Sequence, residues 1–244
     1  MSTRTAIREH QLPDPTEPHE TAANGVLRPI VFGANDGLVS NLALVMGVAA
    51  AEPAPGVVVL AGIAGLLAGA FSMGVGEYIS VQSQRELLDY QIAFQRKQLR
   101  EVPDQERAIL ARAYSDRGFS PEDSARFVDA VFEDPDHAVR LLIFEEVGLD
   151  SRSIGSPVGA AISSFFAFTV GAFIPLLPYL LASGGTAFTV SLGVSLAALA
   201  LLGIAISRLT RRPLVFSAVR QVALGGIAAA VTWAAGKLVG TQLT

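Results

Sequence analysis

The sequence predicts an all-α, polytopic membrane protein with five transmembrane helices and a cytoplasmic helical module between the second and third of them. The composition is the first indication, because 51% of the residues are hydrophobic, 16% are charged and the mean hydropathy is +0.46. Soluble domains carry about 25% charged residues. The second indication is a set of five apolar runs, each long enough to cross a bilayer. The third is that the charge is concentrated in one segment between the second and third runs.

The charge and the missing residue types exclude several function classes. The net charge of −4 shows no basic excess of the kind that binds nucleic acid. Without cysteine, the chain has no disulfide or thiolate site, so a metal must be held by oxygen, imidazole or thioether. None of His10, His19 and His137 falls in an apolar run, and no GxSxG motif or phosphate-binding loop is present. We therefore expect neither an enzyme nor a resident cofactor.

The first 81 residues are predicted to form a tail and two spans. Residues 1–27 have no apolar core and resemble neither a secretory signal nor a transit peptide, so we interpret them as a disordered N-terminal tail. Transmembrane helices 1 and 2 follow in residues 28–81, the first from about Ile30 to Ala51 and the second ending near Ser80. The short connection EPAPG makes these two helices antiparallel neighbours.

Residues 82–152 are polar and predict a helical module outside the bilayer. Apolar residues recur at spacings that permit a stripe along its first helix: Leu87, Leu88, Ile92, Phe94 and Leu99. Ser120 is suited to cap a later helix, because Pro121 follows at the first helical position. Residues 153–244 contain transmembrane helices 3–5, which begin near Pro157, Thr186 and Pro213.

The distribution of positive charge predicts the orientation. The tail, the module and the loop at residues 208–212 contain Lys or Arg, whereas the loops around Glu52 and Ser183 contain neither. By the positive-inside rule we expect the N-terminus and the module in the cytoplasm and the C-terminus outside. Lys237 near the outer end is long enough to reach the interface.

An ionisable residue interrupts the first span, at Asp36 in VFGANDGLVSNLALVMGVAA. A carboxylate inside a bilayer is costly unless it is paired or protonated. In the second span Gly65, Gly69, Met73 and Glu77 are each four residues apart and share one helix face. Antiparallel pairing places both acids and the thioether at similar depth near the cytoplasmic end. This combination predicts a site for Mn²⁺ or Fe²⁺, because a thioether disfavours Mg²⁺ and Ca²⁺.

Each of these features also has an interpretation without metal. Met73 fits simple packing, the glycine stripe fits a helix contact, and the second acid could reach interfacial water. Asp36 is hardest to explain in this way, because acids inside a membrane are usually functional. Arg220 in the last span is either its counter-ion or a side chain that extends to the interface. Pro175 and Pro178 either break the third span or kink it.

Three stretches carry a resemblance to the vacuolar iron transporter family: VFGANDGLVSNLALVMGVAAA, GLLAGAFSMGVGEYISVQSQRE and SPVGAAISSFFAFTVGAFIPLLPYLL. The chain resembles this family from Arg28 to the C-terminus. The resemblance implies a five-span homodimer in the lipid bilayer that moves Fe²⁺, and often Mn²⁺, out of the cytosol in exchange for protons. It also implies that Asp36 and Met73 lie in the membrane pathway, with Glu77 nearby.

The resemblance is weaker in the module, where the family gathers metal with glutamates and methionines. That pattern falls on Gln95, Gln98, Glu106, Ile109, Leu142, Ile143 and Glu146. Only Glu106 and Glu146 keep a carboxylate and remain candidate metal ligands. A shift of one helical turn would bring in other acids: Glu86, Asp89, Glu101, Asp104 and Glu145. We expect a working pore with a reduced or absent metal-gathering station.

The predicted mechanism is antiport by competition. A metal ion and protons would compete for the same carboxylates, so binding of a cytosolic ion releases protons and its release outside allows reprotonation. Two other classes stay open. One is a proton or monovalent-cation transporter in which Met73 only packs, and the other is a membrane scaffold whose module binds a protein partner. The membrane would be the cell membrane in a prokaryote and the vacuolar membrane in a eukaryote.

Overall fold

The computed structural model describes residues 21–52, 54–147 and 155–243 of the chain. All regular structure in these ranges is helical, as the sequence predicts. The helices in these ranges are α1 (Thr21–Ala50), α2 (Pro55–Glu101), α3 (Pro103–Asp116), α4 (Pro121–Phe132), α5 (Pro135–Val147), α6 (Pro157–Leu181), α7 (Gly184–Thr210) and α8 (Leu214–Leu243).

The predicted number of spans is confirmed. Within the described residues five helices are long and apolar enough to cross a membrane, namely α1, α2, α6, α7 and α8. The last three begin within two residues of their predicted starts. By contrast, α1 begins at Thr21 and continues through the buried Pro29, whereas the sequence predicts a start near Ile30. The predicted N-terminal tail falls mainly on residues 1–20, which lie outside the described residues.

The second span and the module share one helix. α2 is 47 residues long, so it leaves the span and forms the first helix of the module. Residues 82–101 contain neither glycine nor proline, and the helix ends only before Pro103. The sequence therefore becomes polar at Gln82, where the helix leaves the span, but the helical backbone continues without interruption. This continuity joins the module rigidly to the wall of the membrane bundle.

The module packs α3 and α5 against the C-terminal part of α2, and α4 packs against α3 and α5. Leu88 of α2 forms a buried cluster with Val139 and Ile143 of α5. Leu87 and Phe94, which were predicted to share the apolar stripe, are exposed instead. The reason is helical geometry, since both side chains project about 100–120° around the axis from Leu88.

Two polar contacts fix the ends of module segments. Ser120 caps α4 as predicted, because its hydroxyl accepts a hydrogen bond from the backbone N–H of Asp123 at 3.1 Å. The Nε of Arg85 on α2 donates to the carbonyl oxygen of Gly155 at 3.1 Å. This second bond ties the start of the third span to the helix that enters the module.

The membrane bundle is built around a close crossing of α1 and α6. α1 makes its most extensive contacts with α6 rather than with α2. A Cβ at Gly37 would lie 2.2 Å from the carbonyl oxygen of Phe168, and a Cβ at Gly171 would lie 2.2 Å from that of Ala34. Real Cβ atoms essentially never approach another heavy atom within 3.0 Å. Only glycine therefore fits at these two positions, and the two backbones touch directly.

Replacement of Gly171 by alanine should destabilise the bundle by about 1–3 kcal/mol, because the added methyl group forces α6 away from α1. The measurement is the midpoint of thermal unfolding of the detergent-solubilised chain. Unfolding is monitored by the loss of the monodisperse peak in size-exclusion chromatography. Gly193→Ala on α7 is the matched control, since a Cβ there meets nothing within 4 Å. Equal midpoints for the two variants would show that the crossing is not tight.

Candidate functional site

A cavity of about 530 Å³ opens between α1 and α2, on the part of the span nearer to the module. Phe168 of α6 completes its lining. Its polar and sulfur-bearing lining residues are Asp36, Ser40, Asn41, Ser72, Met73 and Glu77. The cavity is therefore a polar space within otherwise apolar helices.

The three residues that were predicted to meet in the membrane all line this cavity. Asp36 comes from α1, whereas Met73 and Glu77 come from successive turns of α2. Asp36 is exposed, and the other two are half-buried. Met73 also packs against a cluster that contains Phe168. The structure thus brings two carboxyl groups and a thioether to one place, and their role as metal ligands stays a prediction.

Asn41 is a cavity residue that the sequence interpretation missed. Its side chain is 2% exposed, and its Nδ2 donates to the carbonyl oxygen of Ala172 at 2.6 Å. Its Oδ1 is buried and has no hydrogen-bond partner among the described residues. Such an atom costs about 1–3 kcal/mol unless a ligand satisfies it. The available signal was an asparagine deep in an apolar run, where no helix end needs a cap.

The predicted glycine stripe of α2 forms a wall of the cavity and also a packing surface. A Cβ at Gly69 would lie 2.1 Å from the ring of Phe168. A Cβ at Gly65 would lie 2.3 Å from the side chain of Leu44 and 3.0 Å from Oδ1 of Asn41. The glycines therefore let the side chains of α1 and α6 reach the surface of α2.

The donor set of the cavity is small. Within the described residues there is no group of three or more His, Asp or Glu side chains that could hold a metal ion. The cavity offers two carboxyl groups, one thioether and the neutral oxygens of one amide and two hydroxyls. Structural metal sites are closed by a full set of strong protein ligands. The described residues that line this cavity lack such a set.

Arg220 does not act as the counter-ion of Asp36 in this structure. Its guanidinium lies over the ring of Phe216, one turn earlier in α8, at 5.8 Å from the ring centroid. No ion pair joins it to Asp36 in the described part of the chain. That Arg220 reaches the interface stays a prediction. α6 runs without a break through Pro175 and Pro178.

The module positions that match the expected metal-gathering pattern are mostly part of the core. Leu142 and Ile143 are 0% and 1% exposed and belong to the two apolar clusters of the module. Gln95 and Glu106 are also buried, at 2% and 3% exposed. Glu146 lies near the end of α5, and its side chain is outside the described residues. Two positions of the expected metal-gathering pattern are therefore apolar core positions in this chain.

Glu145, one of the acids that a one-turn shift of the metal-gathering pattern would bring in, forms an ion pair. Its two carboxylate oxygens accept hydrogen bonds from Nη1 and Nη2 of Arg117, the first at 2.6 Å. The guanidinium also lies over the ring of Tyr114, at 5.3 Å from its centroid. These hydrogen bonds hold the pKa of Glu145 below its usual value, and the charge of Arg117 acts in the same direction. The pair joins α5 to the end of α3.

The fold defines a polytopic helical membrane protein, and a cavity between its first two spans is lined by two carboxyl groups and a thioether. The chain belongs to the VIT family, whose family model matches residues 27–237. This confirms the family that the three sequence stretches indicate.

The chain is similar over most of its length to plant proteins of this family. It is 31% identical over 225 residues to vacuolar iron transporter 1 of Arabidopsis thaliana, which covers 92% of this chain and 90% of that protein. It is 31% identical over 237 residues to vacuolar iron transporter 2 of Oryza sativa subsp. japonica, with coverage of 97% and 94%. Vacuolar iron transporter 1 of the same plant is 29% identical over 227 residues, with coverage of 93% and 90%.

Replacement of Glu145 by glutamine should destabilise the module at neutral pH. The folded-state pKa of Glu145 is depressed, so the ion pair stabilises the fold above the ordinary value of 4.5 and ceases to do so as the pH falls through the folded value. Hydrogen exchange in the full-length chain measures this. Amides of α3–α5 should exchange faster in the variant than in the wild type at pH 7, and the difference should vanish well below pH 4.5.

The exposed Glu133 provides the control, because Glu133→Gln removes an acid from the same module without touching this pair. A difference between wild type and Glu145→Gln that stays constant with pH would contradict this explanation.

Proposed function

We propose that this chain moves Fe²⁺, and also Mn²⁺, out of the cytosol through the cavity between α1 and α2, in exchange for protons. The observation that carries the proposal is that Asp36, Met73 and Glu77 line one cavity between membrane-spanning helices. The names of the relatives, which are vacuolar iron transporters, agree with iron as the substrate. The ion is cargo, so the proposal includes no resident cofactor and no enzyme activity.

The donor chemistry supports a transition metal over the commoner divalent ions. Carboxylates supply the negative charge that any divalent cation needs, but Mg²⁺ and Ca²⁺ prefer sites made of oxygen alone. The sulfur of Met73 favours a softer ion. The unpartnered Oδ1 of Asn41 adds a neutral oxygen to the same cavity. The proposed ligand set is therefore Asp36, Glu77, Met73 and Asn41.

The exchange with protons follows from the use of carboxyl groups as ligands. A carboxyl oxygen that holds a proton cannot bind a metal ion at the same time, so arrival of the ion displaces protons. Departure of the ion on the other side leaves a charged carboxylate away from bulk water, and taking up a proton there removes that cost. One cycle thus couples metal movement in one direction to proton movement in the other.

The direction of transport rests on the proposed orientation. The module and the loop at residues 208–212 carry the arginines and lysines, so they are placed in the cytoplasm by the positive-inside rule. The cavity lies on the part of the span nearer to the module and therefore opens near the cytoplasmic side. The membrane is proposed to be the cell membrane in a prokaryote and the vacuolar membrane in a eukaryote.

The same cavity supports a homodimer as the working form. Asp36 is exposed in the single chain, and its neighbours Phe32 and Ser72 on the cavity wall are exposed too. A single chain would present this carboxyl group to lipid, which is energetically costly. A second copy placed over this side would replace the lipid by protein and complete the enclosure of the ion.

In the proposed mechanism the module contributes little to metal binding. Leu142 and Ile143 cannot bind metal and are buried as core residues. Glu106 and Glu146 remain the acids that could contact the ion on its way to the cavity. The module would then serve mainly to extend α2 and to support the cytoplasmic mouth of the pathway.

Uptake into proteoliposomes tests the proposal. With Fe²⁺ or Mn²⁺ outside and a pH dye inside, the wild type should take up metal while protons leave. Asp36→Asn should lose both fluxes, because an amide can neither neutralise the ion nor carry the proton. Met73→Leu should lower the metal flux and the coupled proton flux together, because leucine keeps the packing but not the sulfur.

The chain offers a matched control for each variant. Met46→Leu changes a methionine that is 1% exposed in the bundle core, away from the cavity. Asp116→Asn changes an exposed acid at the end of α3, outside the spans. A wild type that moves protons without metal, with a proton flux that Met73→Leu leaves unchanged, would point to a proton or monovalent-cation transporter. A wild type that moves neither metal nor protons would point to a scaffold.

A further inference from the structure

A second cavity, of about 460 Å³, lies at the other end of the membrane bundle. It is lined by the end of α1, the start of α2, the end of α6, the start of α7 and the last part of α8. The module continues from the opposite end of α2, so this cavity lies at the other end of the bundle from the cavity that contains Asp36. Three features of its wall point to one kind of ligand.

The first feature is the start of α7, a helix of 27 residues. Ser183 occupies the capping position, but its side chain makes no capping hydrogen bond. The first backbone N–H groups of a helix have no partner within the helix, and the helix dipole adds partial positive charge there. A Cβ at Gly184 or Gly185 would meet nothing within 4 Å. Both glycines line the cavity, so there is open space beside uncapped N–H groups.

The second feature is the hydroxyl group of Tyr179 on α6. The residue lines the cavity and is 9% exposed. Its hydroxyl is buried and finds no hydrogen-bond partner among the described residues. A buried hydroxyl without a partner is destabilising, and phenylalanine would fill the same space without that cost. The hydroxyl is therefore explained if a ligand accepts its hydrogen bond.

The third feature is the charge at the cavity wall. Nζ of Lys237 lies 2.5 Å from Oε1 of Glu52, and both side chains remain partly exposed, at 44% and 78%. These are the ionisable side chains of the lining apart from Tyr179. Glu52 is an exposed anion in the loop between α1 and α2, and its ion pair with Lys237 is the contact that a competing anion would replace. An ammonium, a hydroxyl and uncapped N–H groups are all hydrogen-bond donors.

We propose that this cavity binds a phosphate group, held by the N-terminus of α7, the hydroxyl of Tyr179 and the ammonium of Lys237. Backbone N–H groups at a helix N-terminus are a recurring phosphate site. Two sources share this chemistry, namely inorganic phosphate from solution and the phosphodiester of a lipid headgroup. The apolar residues Val58 and Phe188 in the lining are compatible with a lipid. In either case the phosphate displaces Glu52 from Lys237.

The single tryptophan of the chain, Trp233, lines this cavity and reports on its contents. The experiment uses the full-length protein, without metal, in dodecyl maltoside micelles, which contain no phosphate. One arm titrates inorganic phosphate into the micelles, and the other adds phosphatidylglycerol to them without free phosphate. Tryptophan emission and the midpoint of thermal unfolding are recorded in both arms.

Two variants are expected to weaken the response to phosphate, and a third is expected to strengthen it. Tyr179→Phe and Lys237→Met should each weaken the response by about tenfold, because each removes a donor to a charged group. Glu52→Gln should strengthen it, because the competing carboxylate is gone. Tyr179→Phe is expected to fold, since its hydroxyl has no partner in the described part of the chain. Tyr90→Phe and Lys97→Met are matched controls in the module and should respond as the wild type.

The two arms separate the sources. A saturable response to free phosphate that the two donor variants weaken supports inorganic phosphate. A response confined to phosphatidylglycerol, and weakened by the same variants, supports a lipid headgroup. No change in emission or in unfolding midpoint in either arm would overturn the proposal, and so would a response that Tyr179→Phe and Lys237→Met leave unchanged.

Discussion

The direct contact between the backbones of α1 and α6 is the constraint on which the membrane bundle depends. Gly37 and Gly171 permit it, because a methyl group at either position would overlap a carbonyl oxygen of the other helix. The contact fixes the rotation of α1 about its axis. That rotation turns Asp36 toward α2 and lets Asn41 reach the carbonyl of Ala172. The composition of the cavity thus follows from a steric requirement elsewhere on the same helix.

The polar groups inside the bundle differ in whether the protein itself satisfies their hydrogen bonds. Ser191 satisfies its hydroxyl by donating to the carbonyl of Pro175 at 2.6 Å. The Oδ1 of Asn41 and the hydroxyl of Tyr179 have no such partner among the described residues, and each lines a cavity. Unsatisfied polar groups are costly away from water, and this cost is the reason for proposing an occupant in each cavity. The bundle therefore has two candidate sites, at opposite ends.

Apolar runs long enough to cross a bilayer were sufficient to predict five spans. An acid within one of these runs was sufficient to single out Asp36. Spacing by four placed Met73 and Glu77 on one face, and the structure puts them in the cavity with Asp36. Helix pairing was not predictable in the same way. A short loop implied that α1 and α2 are neighbours, whereas the glycine contacts that join α1 to α6 depend on residues far apart in sequence. Asn41 was missed for the same reason, since its bond to Ala172 spans 131 positions.

The central claim is that a divalent transition metal binds between α1 and α2. The most direct test is anomalous scattering near the manganese absorption edge from crystals of the wild type and of Asp36→Asn soaked in Mn²⁺. We expect one peak in the cavity, at coordination distance from the carboxylate of Asp36 and close to the sulfur of Met73, and no peak there in the variant. A strongest peak in the module, beside Glu106, would contradict the account, and so would an empty cavity in a wild type that transports Mn²⁺.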